Sequence, residues 1–329
     1  MSKYEDLKST LAKRVLADKI VPVGSTDLKL GKKPMLTVAG EGHPILESAV
    51  DQYLLHIGFT PGKRFLEKAL TVAPTETEAL IGKYAKDMAE KKLIVRTETY
   101  QKGKPVVRCV GSEKFTPLDD HVLLDAVEET LSGYEWEPGP CFRTPTVSHY
   151  TFKFPKYTFE PLPKDVHFGG IRLINSEVGY HSLGVQCWVM RQVCTNGAVA
   201  PVSVLGHFRK YHVSLTVEEL VNMAQERVLA GIKALDTTVG LLKRQTEIVV
   251  PDVEQEFKAL KMKYGISEKL LTKVTEAYRK DPGQSLYHIG NAFTWVSTHD
   301  KEISRAQQIE FEKIGGELLT VAEPLTVRV

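Results

Sequence analysis

The stretch that decides the fold is residues 168–197, FGGIRLINSEVGYHSLGVQCWVMRQVCTNG. Two segments in it, GIRLINSEV and LGVQCWVMRQVC, place alternate side chains on opposite faces, as strands do. The polar segment between them and the closing Asn196-Gly197 carry the residues typical of turns between antiparallel strands. Neither strand has one purely apolar face. We therefore expect a sheet whose second face is covered by another element or occupied by a partner.

A long amphipathic helix is predicted downstream, from Thr216 to about Arg244. Thr216 and Glu219 form a capping-box pattern at its start. Apolar residues recur at intervals of three and four and form one stripe suited to packing on a sheet: Leu220, Ala224, Val228, Ile232, Leu235, Val239 and Leu242.

Further strands are predicted upstream of the opening stretch. SHYTFKF and KYTFEPL have the composition of strands, and LIVRTETY and PVVRCVG flank the glycine-containing loop QKGK as a β-hairpin does. Asp119 or Asp120 is placed to cap the helix that follows the hairpin.

Helical periodicity dominates both ends of the chain. In residues 4–20, for example, Leu7, Leu11, Val15 and Ile20 lie near one helical face. The sequence therefore predicts an α+β protein in which a central antiparallel sheet, a hairpin plus a meander, packs on the long helix. We divide it into a helical N-terminal region (1–91), an α+β core domain (92–250) and a helical C-terminal region (251–329).

The composition indicates a folded protein without membrane spans. The 329 residues are 42% hydrophobic and 26% charged, with a formal net charge of +2. No apolar run approaches the roughly 18 residues of a membrane span, and the first residues lack the apolar core of a secretion signal. We expect a cytoplasmic protein. A nucleic-acid-binding surface would require its positive charge to be segregated onto one face.

The cysteines predict neither disulfides nor a metal centre. Cys109, Cys141, Cys187 and Cys194 contain no CxxC pair, and Cys187 and Cys194 are expected on opposite strand faces. Cys194 is a candidate nucleophile by residue type alone, but the Asn-Gly that follows is more simply a turn. Phosphate-loop, dinucleotide and HExxH motifs are absent from the sequence. We assign no catalytic residue, cofactor or metal, and favour a protein that is not an enzyme.

Basic and aromatic residues interleave along the predicted sheet, in HYTFKFPKYTF and again in HFRKYH. Cations can contact phosphates while aromatic faces stack on unpaired bases, so one interpretation of this pattern is a surface that binds single strands. The alternative is a sheet with its aromatic side chains in the core and its lysines in solvent. The pattern alone leaves both open.

Three segments resemble a family encoded by phages and plasmids, the domain of unknown function 932. They are VVRCVGSEKFTPLDDHVLLDAV, GIRLINSEVGYHSLGVQCWVMRQVCTNGAV and LYHIGNAFTWVSTH. The resemblance spans roughly residues 90–320, and its most specific part is NSEVG followed by CTNG. It implies a role in DNA or RNA metabolism on a mobile element. Several antiparallel strands followed by a long helix is also similar, by fold-level analogy, to single-strand-annealing recombination proteins, which form rings.

The main hypothesis is therefore a mobile-element protein that binds single-stranded nucleic acid, with DNA favoured over RNA, as a homo-oligomer or ring without a cofactor. The residues predicted to contact phosphate are Arg108, Lys114, Arg143, Lys153, Arg172, Arg191, Arg209 and Lys210. Those predicted to stack on bases are Tyr150, Tyr180, Trp188 and Tyr211.

The matched motif residues Asn175, Ser176, Glu177, Arg191, Asn196 and Gly197 are expected to fix the hairpins and a ring interface, with Glu177 and Arg191 as a buried ion pair. Two alternatives remain. One is a nucleic-acid- or nucleotide-processing enzyme with Glu177, Arg191, Cys194 and Asn196 near one pocket. The other is a viral structural or assembly protein.

Overall fold

The computed structural model describes residues 3–31, 33–100, 103–191, 197–198, 208–318 and 320–327. Its helices are α1 (Lys3–Ala12), α2 (Glu47–His56), α3 (Lys63–Val72), α4 (Pro74–Asp87), α5 (Asp120–Thr130), α6 (Val217–Glu247), α7 (Val253–Tyr264), α8 (Glu268–Lys280), α9 (Leu286–His299) and α10 (Arg305–Leu318). Its strands are β1 (Arg14–Pro22), β2 (Thr26–Lys29), β3 (Met35–Val38), β4 (Glu41–Pro44), β5 (Lys92–Tyr100), β6 (Val106–Ser112), β7 (Glu137–Pro138), β8 (Phe142–Arg143), β9 (Ser148–Phe159), β10 (His167–Asn175), β11 (Leu183–Arg191), β12 (Gly197–Ala198) and β13 (Phe208–Lys210).

The opening stretch forms the centre of the main antiparallel sheet, as predicted. β10 pairs with β9 on one side and with β11 on the other. SHYTFKF and KYTFEPL, expected as two strands, form the single strand β9. Gly170 is required within this sheet, because a Cβ there would lie 2.4 Å from the carbonyl oxygen of Phe152 and 3.2 Å from the ring of Trp188.

The long helix α6 covers one face of this sheet. The predicted capping box is present, since Thr216 accepts from the backbone N–H of Glu219 and the Glu219 side chain accepts from that of Thr216. Gly231 of α6 lies against Ile171 of β10, which allows helix and sheet to approach closely. The stripe residues Leu220, Ala224, Val228, Ile232, Leu235 and Leu242 belong to the core beneath, and Val239 packs against it.

The N-terminal region differs from the prediction, because it is not purely helical. Residues 14–22 form β1, which pairs along its whole length with β5, and β2, β3 and β4 form a small sheet of their own. The helical spacing over 4–20 ends with α1 at Ala12. Residues Val15, Ile20 and Val21 are β-branched and favour a strand. The proposed boundary at residues 91 and 92 therefore cuts through the β1-β5-β6 sheet.

The C-terminal region is helical, as predicted, and its helices α7 to α10 share a core of their own. Polar contacts join these helices to the main sheet. Arg172 of β10 donates to Glu312 of α10 at 2.6 Å, and Tyr287 of α9 donates to Asp165, which lies just before β10. The mixed α+β class with antiparallel sheets and a long packing helix is confirmed.

Candidate functional site

The loop that carries the NSEVG motif joins the main sheet to the N-terminal elements. Asn175 donates to the carbonyl oxygen of Leu118 and to the carboxylate of Asp120, at 2.9 and 2.8 Å. Ser176 donates to the carbonyl oxygen of Thr146 at 2.6 Å. Gly179 takes the left-handed conformation, with φ of 76°, that turns the loop back toward β11. The contacts of the motif therefore fix the turn between β10 and β11, as predicted, whereas its role in a ring interface stays a prediction.

Glu177 is the centre of a buried ionic cluster. Its side chain is 1% exposed and accepts from Arg14 twice at 2.8 Å, from Arg108 at 2.7 Å and from Arg143 at 2.8 Å. Glu98 shares these cations, at 3.2 Å from Arg14 and 2.9 Å from Arg108. The cluster ties β1, β5 and β6 to the loop after β10.

Two carboxyl groups in this cluster respond to burial in opposite ways. Burial alone would raise the pKa of Glu177, but the hydrogen bonds and charges of Arg14, Arg108 and Arg143 hold that pKa well below its usual range. Burial raises the pKa of the neighbouring Asp120, and the charge of Glu177 raises it further. Glu177 is therefore the ionised anchor of the cluster.

Two arginines predicted to contact phosphate are engaged in this cluster instead. Arg108 is 4% exposed, and its guanidinium is occupied by Glu177, Glu98 and a backbone carbonyl. Arg143 is paired with Glu177. A phosphate would have to displace buried carboxylates to reach either side chain, so the structure does not support them as binding residues.

The predicted Glu177–Arg191 pair is wrong. Arg191 lies opposite His167 at one end of β10, whereas Glu177 follows Asn175 at the other end. At roughly 3.3 Å per residue, those strand ends are about 26 Å apart. The enzyme hypothesis that placed both residues near one pocket loses its geometry for the same reason.

Arg191 instead belongs to a second buried cluster. It donates to Asp165 and to Asp281, both at 2.5 Å. Asp165 also accepts from the Tyr287 hydroxyl, which lies 3.3 Å from Nε2 of His167. Burial lowers the pKa of His167, although the nearby Asp165 opposes this. The cluster fixes α9 against the sheet and occupies the predicted phosphate contact at Arg191.

The sheet residues predicted to stack on bases or bind phosphate are also mostly internal. Tyr150 is 0% and Trp188 1% exposed, so their rings are core side chains, as the alternative interpretation of the aromatic pattern held. Arg172 is paired with Glu312 and lies over the Trp188 ring. Lys153 remains half-buried and pairs with Glu137 at 2.9 Å.

The remaining candidates converge on one edge of the protein. Backbone hydrogen bonds from Thr116 to His212 and from Ser214 to Lys114, each 2.8 Å, hold the segment after β13 beside the segment after β6. Lys114, Lys210 and Tyr211 are exposed there, and Tyr211 is 75% exposed. Sequence separation hid this proximity, since residues 114 and 211 are far apart in the chain.

Tyr180 extends the same edge. Gly179 touches the Phe115 ring, since a Cβ there would lie 2.9 Å from it, and Phe115 stacks on His212. Tyr180 is 41% exposed, and its hydroxyl donates to the carbonyl oxygen of Ser48 at 2.6 Å, which fixes the ring. We call Lys114, Tyr180, Lys210 and Tyr211 the edge patch. Glu113 is exposed beside it, so the patch is not uniformly basic.

Beneath the edge patch, His212 is buried. Burial lowers its pKa to about 4, so the ring is neutral at physiological pH. The cations of the edge patch therefore come from lysines and not from this histidine.

Some predicted features lie outside the described residues. These are Cys194, Asn196 and the side chain of Arg209, whose backbone belongs to β13 beside Lys210. Of the cysteines that the structure describes, Cys109 and Cys187 are buried free thiols. In the described ranges no group of three His, Cys, Asp or Glu side chains could hold a metal ion, and no helix is long and apolar enough to cross a membrane.

Several residues of these clusters carry no local sequence pattern that indicates their partners. Arg14 lies in a segment with helical periodicity, and Asp165 lies in a loop rich in proline. Both act through contacts with residues more than 20 positions away in the chain. Such pairings depend on tertiary structure and have no local pattern.

Comparison with known proteins adds no relative. No family model matches the chain, and neither a curated protein nor a solved structure does.

Proposed function

We propose that the protein binds single-stranded nucleic acid, DNA in preference to RNA, along the edge patch. The proposed setting is a phage or plasmid that handles single strands, with annealing as the reaction served. The observation that carries the proposal is the convergence of Lys114, Lys210 and Tyr211 on one exposed edge. Lysines can neutralise phosphates there, while exposed tyrosine rings offer stacking faces for unpaired bases.

The arrangement suits an unpaired strand better than a duplex. In a duplex the base faces are stacked on one another and are not available to tyrosine rings, whereas an unpaired strand exposes them. The order of several antiparallel strands followed by a long helix also supports the proposal by analogy with annealing proteins. In this proposal the buried arginines stabilise the fold, and the edge patch contacts the strand.

The test compares labelled oligothymidylate with a duplex of the same length by fluorescence anisotropy, at low and at moderate salt. Tyr211→Ala should weaken single-strand binding by about 5- to 150-fold, the equivalent of the roughly 1–3 kcal/mol of one stacked base. Lys210→Ala should weaken binding and flatten its dependence on salt, because one fewer counterion is released.

Matched controls use residues of the same type elsewhere. Tyr134 is also 41% exposed, and Lys243 is an exposed lysine of α6. Their alanine variants should bind like the unaltered protein. Equal affinity for duplex and single strand, or equal effects of the patch and control variants, would refute the proposal.

A further inference from the structure

A cleft of about 710 Å³ opens between α2, α3 and the turn that carries Tyr180. Such a volume is in the range of ligand and peptide sites. Its walls are largely apolar, and they include Leu54 and Leu55 of α2, Phe59, and Leu66 and Leu70 of α3.

The charged side chains of the cleft are mainly acidic. Glu47, Asp51 and Glu67 line it together with a single amine, Lys63. Lys63 is paired with Glu47 at 2.5 Å and also acts by its charge on Asp51 and Glu67, so three carboxylates share one cation. Burial raises the pKa of Asp51, and the charge of Glu47 raises it further, which is the environment that a bound cation would relieve.

Helix α3, one wall of the cleft, is only lightly packed in the protomer, where Leu66 contacts the core of the N-terminal elements. None of its ten residues is buried, and Phe65 is 66% exposed. Across the cleft, Leu55 is 62% exposed. A helix of this length is marginal with so little packing, and the exposed Leu55 adds to the apolar surface of the cleft, a kind of surface that partners often cover.

A surface of complementary character lies on α7. Met262 is 84% exposed and projects between lysines, with Lys258 one turn before it and Lys263 next to it. Both lysines are exposed. This strip therefore offers one apolar side chain with positive charge on either side, which matches an apolar cleft with an acidic rim.

We propose that a second copy of the chain docks its α7 strip, Lys258, Met262 and Lys263, into the cleft between α2 and α3. The two surfaces are different, so the contact is heterologous, and repeated contacts generate a ring or an open filament. The inference agrees with the homo-oligomer expected from the sequence, and it does not require nucleic-acid binding.

Sedimentation velocity of the full chain without nucleic acid tests this contact. The unaltered protein should form oligomers larger than dimers as its concentration rises. Met262→Asp and Leu55→Asp should each weaken self-association at least tenfold. Both side chains are exposed, so folding should be preserved. An equimolar mixture of the two variants should form dimers, because one intact strip meets one intact cleft.

Charge reversal provides the second arm of the test. Lys263→Glu should weaken association and Glu67→Lys should restore it in the double variant, whereas Lys243→Glu on α6 should have no effect. A protein that stays monomeric at every concentration would overturn the proposal. So would oligomers that tolerate both aspartate variants, or a variant mixture that stays monomeric. Oligonucleotide binding is measured separately on monomeric Met262→Asp. If this variant binds, the proposed function stands whatever the result for self-association.

Discussion

Replacing Glu177 with glutamine should destabilise the protein more than any exposed carboxylate replacement. The substitution keeps the shape of the side chain but removes the charge shared by Arg14, Arg108 and Arg143. Breaking a buried ion pair by removing one partner typically costs about 3–5 kcal/mol. Glu98 still contacts these arginines, so the expected loss is at the lower end, about 3 kcal/mol.

That loss converts to a modest but measurable change in Tm. For 329 residues, an unfolding entropy of roughly 2.1 cal/mol/K per residue gives about 0.7 kcal/mol/K. A loss of about 3 kcal/mol therefore lowers the Tm by about 4 °C. Differential scanning calorimetry measures this shift directly.

The matched control is Glu137→Gln, which breaks the exposed pair with Lys153. Its side chain is 60% exposed, and exposed pairs contribute at most about 1 kcal/mol. The control should shift the Tm by about 1.5 °C or less. Equal shifts for the two variants would refute the assignment of Glu177 as the anchor of the cluster.

The remaining predictions concern pH, the second cluster and the sheet. Because the folded-state pKa of Glu177 is lowered, its carboxylate stabilises the fold above its ordinary pKa of 4.5, and this stabilisation is lost as the pH falls from there through the folded-state pKa. In urea titrations, the free energies of unfolding of the unaltered protein and of Glu177→Gln should therefore become equal in acid. Arg191→Ala should lower the Tm, because Asp165 is left buried without its cation; an unchanged Tm with lost oligonucleotide binding would show instead that Arg191 holds phosphate. Gly170→Ala should lower the Tm, whereas Gly240→Ala in the exposed part of α6 should raise the free energy of unfolding by about 0.5–1 kcal/mol; equal effects would contradict the close strand packing at Gly170.

Local patterns predicted the elements of this fold well where one period dominates. The capping box and apolar stripe of α6 and the alternation in β10 and β11 each agree with the structure. Residues 14–22 were misassigned because Val15 and Ile20 fit a helical face as well as a strand. Only pairing with β5, some 80 residues away, decides between them.

The candidate site was predicted less well, because basic and aromatic residues can either pack and pair inside the fold or contact a ligand at its surface. Composition does not separate these two roles. Tyr150 and Tyr211 look alike in the sequence, yet one is a core side chain and the other is exposed. Burial depends on which face α6 covers. Likewise, Glu177 and Arg191 lie near each other in sequence but at opposite ends of the β10–β11 pair. Because β11 runs antiparallel to β10, Arg191 lies opposite His167, at the end of the pair away from the turn that carries Glu177.

The most direct measurement of the central claim is where a bound strand touches the protein. An oligonucleotide that carries photoreactive 4-thiothymidine would be bound, irradiated and digested, and the attached peptide identified by mass spectrometry. We expect adducts on Tyr211 or Tyr180, the exposed rings of the edge patch. Adducts confined to other surfaces, from a strand that is demonstrably bound, would contradict the account.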